Sequence, residues 1–97
     1  MSTSIVSTDL VAMGDVRWRQ RVRVRGQVRS TRVQPWGGDV PSLECTVVDE
    51  TGGLTVVFLG RSKVGGVVLG AILEAEGMVA ESRERLVMIN PVYRLVS

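Results

Sequence analysis

Between Val16 and Gly26 the chain alternates, residue by residue, between two kinds of side chain. Arg fills every odd position from 17 to 25, while Val16, Trp18, Val22 and Val24 fill even ones, with Gln20 the exception. Side chains two apart share one face of a β-strand, whereas the ~100° step of a helix would smear the same residues around its whole circumference. The pattern therefore demands a half-buried strand, with Trp18, Val22 and Val24 turned to a core and the Arg ladder turned out. The alternating run extends for about 16 residues, when strands usually hold about five or six. Gly26 sits in its middle, where a glycine marks a bulge or sharp bend. A long first strand bent at a glycine can serve two sheets of a small barrel.

The remaining sequence supplies partners for that strand. Residues 34–41, Gln-Pro-Trp-Gly-Gly-Asp-Val-Pro, read as a loop. Residues 43–48 and 54–59 read as strands two and three, joined into a hairpin by a turn at 49–53. Residues 60–70 form a glycine-broken connector with room for one helical turn near 62–64. Strand four is expected at 71–80, a turn at 81–84, and strand five at 85–96, with Asn90-Pro91 breaking its ladder. Residues 1–13 read as a tail or lead-in and residues 14–97 as a single domain, with no internal repeat. The expected fold is all-β: a five-stranded Greek-key barrel of OB type, to which an SH3-like barrel is the nearest rival by periodicity.

Composition narrows the chemistry. The chain has 97 residues, enough for one modest core, and Val alone fills 19 of them, which favours sheet over helix. It has no His, which removes a His-based triad, a His-ligated zinc site and an imidazole base. Cys45 is the lone cysteine, so neither an internal disulfide nor a multi-cysteine metal cluster can form; its alternation with Leu43 and Val47 makes it inert core. No metal, no cofactor and no nucleophile–base–orienter constellation is expected, hence no enzyme. The opening residues lack a basic segment followed by an apolar one, so no signal peptide is expected and a cytoplasmic location is.

Charge is distributed unevenly. The first 40 residues carry a net +4 and the remaining 57 a net −2, although the total is only +2. All seven N-terminal Arg lie between positions 17 and 32, and no acid interrupts from 16 to 38. A basic stripe beside a near-neutral remainder is the footprint of a phosphate binder. The Arg-for-Lys preference is equally the mark of a GC-rich genome, which does not account for the clustering.

Two segments, Val24-Arg25-Gly26-Gln27-Val28 and Val48-Asp49-Glu50-Thr51-Gly52-Gly53-Leu54-Thr55-Val56-Val57-Phe58, resemble the OB-fold nucleic-acid-binding family. That family includes the wedge domain of RecG-type branch-migration helicases and the anticodon-binding domains of some tRNA synthetases. Gly77-Met78-Val79 followed by Leu86-Val87-Met88-Ile89-Asn90-Pro91-Val92-Tyr93 looks especially like the RecG wedge, and the chain as a whole resembles short stand-alone OB proteins of actinobacteria. The segment Gly60-Arg61-Ser62-Lys63-Val64-Gly65-Gly66 is no phosphate-binding loop of a motor, so only the binding module is implied.

Candidate binding residues follow. Outward positions on a strand recur every ~6.6 Å, so Arg23 and Arg25 can meet alternate phosphates; the competing reading pairs the ladder of Arg17, Arg19, Arg21, Arg23 and Arg25 with Glu74 and Glu76 of strand four. Arg29, Arg32 and Trp36 lead into the first hairpin, where an aromatic either stacks on a base or lids the barrel. Arg61 and Lys63 follow strand three, and Arg83 and Arg85 flank the four–five turn, as a second side of a groove. Thr46 and Thr55 can donate to phosphate, and Asp49 satisfies turn amides. The expected partner is nucleic acid, single-stranded or forked DNA ahead of RNA, with no membrane. The alternative is a protein-interaction subunit of a larger complex, docking through Val67, Val68 and Ile72.

Overall fold

The computed structural model describes residues 9–96. It is all-β, with six strands: β1 (Arg21–Gly37), β2 (Val40–Val48), β3 (Gly53–Leu59), β4 (Ile72–Ser82), β5 (Arg85–Ile89) and β6 (Val92–Val96). The first half of β1 pairs with β4 and the second half with β2; β2 pairs with β3, β3 runs parallel to β5, and β5 returns to β4. These five strands make a closed ring. β6 pairs with β4 beyond β5, so β5 and β6 are one path along β4 interrupted at Asn90-Pro91.

The interruption has a chemical origin. Asn90 takes a left-handed backbone (φ 50°), its N–H donates to Val57 O at 2.7 Å, and its side-chain oxygen accepts from Leu59 N at 2.8 Å. One residue thus closes the β3–β5 seam and satisfies the end of β3, while Pro91, lacking an N–H, cannot continue the ladder. The single strand expected at 85–96 is two strands for this reason.

The interior is lined by the even residues of β1 and their partners. Val22, Val24 and Val28 pack with Leu43, Cys45, Val56, Leu73 and Met88, all at 5% exposure or less. Gly26 is the closest approach: a Cβ there would sit 2.7 Å from Met13 Cε and 2.9 Å from Val47 Cγ1, and would meet the Val48 carbonyl. The bend at this glycine lets β1 leave β4 for β2.

Two segments outside the strands cover the two ends of the ring. A 3-10 turn at Met13–Asp15 buries Met13, and its N–H groups dock on the β2–β3 turn: Met13 N donates to Asp49 Oδ2 and Gly14 N to Thr51 Oγ1, each at 2.8 Å. The Asp-x-Thr-Gly sequence is thus a latch as well as a turn, since Asp49 Oδ1 also accepts from Thr51 N at 2.7 Å and Gly52 N at 3.1 Å. At the other opening the connector buries Val64 and Val67. It is built of turns, without the helical turn expected there. The lead-in is therefore part of the core at Met13, and Val11 packs against that core; residues 1–8 of it lie outside the described residues.

Two further expectations are corrected. Trp18 is not core: it is 54% exposed, because the pairing of this segment with β4 ends at Val79 and the chain turns at residues 17–20, with Arg19 left-handed (φ 68°). The Arg19 guanidinium lies 4.5 Å from the Trp18 ring centroid instead. The loop expected at 34–41 is mostly strand, with Gly38-Asp39 the two-residue tip of a long β1–β2 arm. Gly38 (φ 56°) supplies the positive φ of that tip.

Candidate nucleic-acid interface

The outward residues of β1 fall into two sets, separated by a bulge. The β1–β2 register shifts between Val28 and Ser30, leaving Arg29 as the extra residue. A bulge reverses which parity points out. Before it the odd residues Arg21, Arg23 and Arg25 face outward; after it Ser30 and Arg32 do, opposite Thr46 and Glu44. Val33, odd-numbered, turns to the inner side opposite Leu43. The five-residue spacing from Val28 to Val33 in the sequence is the trace of this slip.

The first set faces β4. Arg25 Nε donates to Glu74 Oε2 at 2.9 Å, and Arg94 Nε of β6 donates to Glu74 Oε1 at 3.2 Å. Arg21 meets Glu76 at 3.4 Å. Glu74 is buried between its two guanidinium groups, and hydrogen bonds from Arg94 and then Arg25 hold its carboxyl down at about 2. The same contact raises the pKa of Arg94. Arg23, between these pairs, is half-buried, and its Nε has no hydrogen-bond partner. So carboxylates engage Arg21 and Arg25, two of the five residues of the ladder, while Arg17 and Arg19 lie in the exposed turn.

The second set builds a different surface. Along β2 and β3 the rows Ser30–Thr46–Thr55 and Arg32–Glu44–Val57 face outward, and β5 adds Val87 and Ile89 beside Thr55 and Val57. Val57 and Val87 are fully buried yet on the opposite side of the sheet from Cys45 and Val56, and Thr55 is 8% exposed. This part of the outer face is therefore closed to solvent. Arg85 lies two residues before Val87, and its Nη2 donates to Glu44 Oε1 at 2.9 Å, so the guanidinium arm crosses the floor from β5 to β2. Ser30, Arg32, Glu44, Thr46 and Arg85 enclose a polar cleft of about 350 Å³.

The remaining candidates divide around it. Arg29 is exposed at the bulge before Ser30, and Arg83 is exposed in the β4–β5 turn two residues before Arg85. Trp36 is half-buried near the tip of the β1–β2 arm, and the Arg32 guanidinium points at the side-chain amide of Gln34. Lys63 borders a separate groove of about 380 Å³ on the inner side of the arm, lined by Val33, Leu43, Val64 and Val67. Arg61 is exposed at the start of the connector. Cys45 is fully buried, and desolvation pushes its thiol up to about 11.

Glu44 escaped the sequence reading. Its position between Leu43 and Cys45 marks it as outward-facing, but that it sits at 6% exposure opposite Arg32 follows only from the strand register. Arg94 escaped it for the same reason. Among the described residues no group of three His, Cys, Asp or Glu could hold a metal ion, and no helix is long and apolar enough to cross a membrane. No protein-family model matches the chain, and no curated protein matches it.

Proposed function

We propose that this chain is a small non-enzymatic OB-fold protein that binds single-stranded or branched DNA. The fold assignment rests on the path of the ring: a three-stranded meander, a crossing connector, then β4 beside the first half of β1 and β5 parallel to β3. That is the order of a Greek-key OB barrel closed by a bent first strand. Such barrels bind oligonucleotides on the β2–β3 face, between the β1–β2 and β4–β5 loops.

One observation carries the functional reading. The outer β2–β3 face carries a cleft with Arg32 on the β1 side and Arg85 on the β5 side, with hydroxyls of Ser30 and Thr46 between them, and Arg29 and Arg83 are exposed a few residues away along the chain. Guanidinium groups on two walls suit a phosphate backbone, and Trp36 on the arm suits a stacked base. The engaged ladder of Arg21 and Arg25 contributes a background field and few direct contacts. A cytoplasmic location accords with the free Cys45.

Fluorescence anisotropy with single-stranded, forked and duplex DNA and with RNA, at two salt concentrations, tests this. Four neutralised phosphates give a log K against log salt slope of roughly −3 on a single strand. Replacing Arg29 and Arg32 together with Ala should flatten that slope by about 1.4. Binding that is indifferent to both salt and this double substitution refutes the proposal.

The apolar groove between the arm and the connector favours a second reading, a protein-interaction subunit. Val33 and Val68 are 54% and 59% exposed there, whereas Val67 is buried and Ile72 half-buried. A fixed-stoichiometry complex that survives nuclease would support that reading over the first.

A further inference from the structure

A carboxylate is out of place on the floor of a groove meant for phosphates. Glu44 is 6% exposed, sits at the centre of the polar cleft, and faces Arg32 across β1–β2 while holding Arg85 at 2.9 Å. A buried carboxylate needs hydrogen-bond donors to offset its lost hydration, and its charge repels the backbone that the surrounding Arg residues attract. Bases pointing into the cleft, in place of phosphates, avoid that repulsion and bring N–H donors to the carboxylate.

We infer that the Glu44–Arg85 pair reads a base, and that the base is guanine; this rests on the nucleic-acid reading above. A carboxylate has about four lone-pair positions, of which Arg85 occupies one. The free ones accept from N–H groups only. Guanine alone among the common bases presents an N–H and an amino group side by side on its Watson–Crick edge, matching the two oxygens of one carboxylate. Adenine, cytosine and thymine each offer one donor position on that edge, beside an acceptor that the carboxylate repels. Arg donates to the guanine O6 and N7 acceptors, and both Arg32 and Arg85 border the cleft. Single-stranded bases, splayed from their backbone, expose those edges. The cleft, at about 350 Å³, has room for one base.

The test places one variable base at the centre of an oligothymidylate twelve-mer and measures anisotropy with the full chain. The guanine strand should bind about tenfold tighter than the adenine, cytosine or all-thymine strands, as one bidentate pair allows. Replacing guanine by hypoxanthine removes only the amino group and should erase most of that preference without touching the protein. Glu44→Gln keeps the shape but loses an acceptor; its melting curve reports folding, and it should bind all strands alike while holding oligothymidylate at least as tightly as before. Equal binding of all four bases by the unaltered chain overturns base reading and leaves nucleic-acid binding intact. Undiminished preference for hypoxanthine overturns the role of the carboxylate. Absence of binding to every strand overturns both readings together.

Discussion

Arg25 on β1 and Glu74 on β4 are register partners, and their side chains join across the sheet with Nε 2.9 Å from Oε2. Arg94 closes on the same carboxylate from β6, on the far side of β4. One acidic residue therefore ties three strands together at the first half of β1, and it does so by drawing on the Arg ladder that most suggests a polyanion partner.

That clamp makes stability depend on pH in a defined direction. The Glu74 carboxyl is lowered from 4.5 to about 2 in the fold. A depressed folded pKa contributes stability that is complete above the unfolded value and is lost as protons bind. The stability advantage of the native chain over Glu74→Gln should be constant above about pH 5 and shrink as pH falls from 4.5 towards 2. Urea midpoints of the two proteins at several pH values measure it. Asp49 titrates in the same sense: desolvation raises its pKa, but hydrogen bonds from Thr51, Met13 and Gly52 more than offset this. The comparison with Glu74→Gln isolates the clamp from that contribution.

Gly26 should tolerate no side chain. A methyl group there meets the Val48 carbonyl, which is backbone and cannot rotate away, as well as Met13 and Val47. Overpacking of this kind costs typically 1–3 kcal/mol, so Gly26→Ala should lower the denaturation midpoint accordingly. Trimming Met13 at the same time should recover only part of the loss.

The β4–β5 turn should be improvable. Arg83 (φ 54°) and Glu84 (φ 66°) both hold left-handed backbones, which suit Asn-Gly far better. Left-handed geometry costs an ordinary residue about 1–2 kcal/mol. Arg83→Asn with Glu84→Gly should raise the thermal midpoint; if Arg83 also touches phosphate, the same variant should bind single strands more weakly, with a shallower salt slope.

Cys45 should react only when the ring of strands opens. It is fully buried and its thiol is raised to about 11. Thiol-exchange reagents at pH 8 should label it at the rate of global unfolding and become fast in denaturant. A raised folded pKa stabilises below the unfolded value, so this contribution holds up to pH 9 and declines between 9 and 11.

Local alternation determined a good deal of this protein. The strand character of β1, the inward Val22 and Val24, the β2–β3 hairpin with its Asp49 turn and the inert Cys45 follow from side-chain period and turn chemistry, which act between near neighbours. Trp18 obeyed the same alternation and still ended in solvent, because a strand exists only as far as it has a partner, and the chain before Gln20 turns away from β4, whose last residues pair with β5 instead. Whether Arg32 points outward hinged on one extra residue at Arg29, and whether Glu44 lies beside Arg85 hinged on two strands being joined through a third. Those outcomes belong to the tertiary structure alone: hydrogen-bond register between distant segments decides which charges meet, and no pattern within a single segment carries that information.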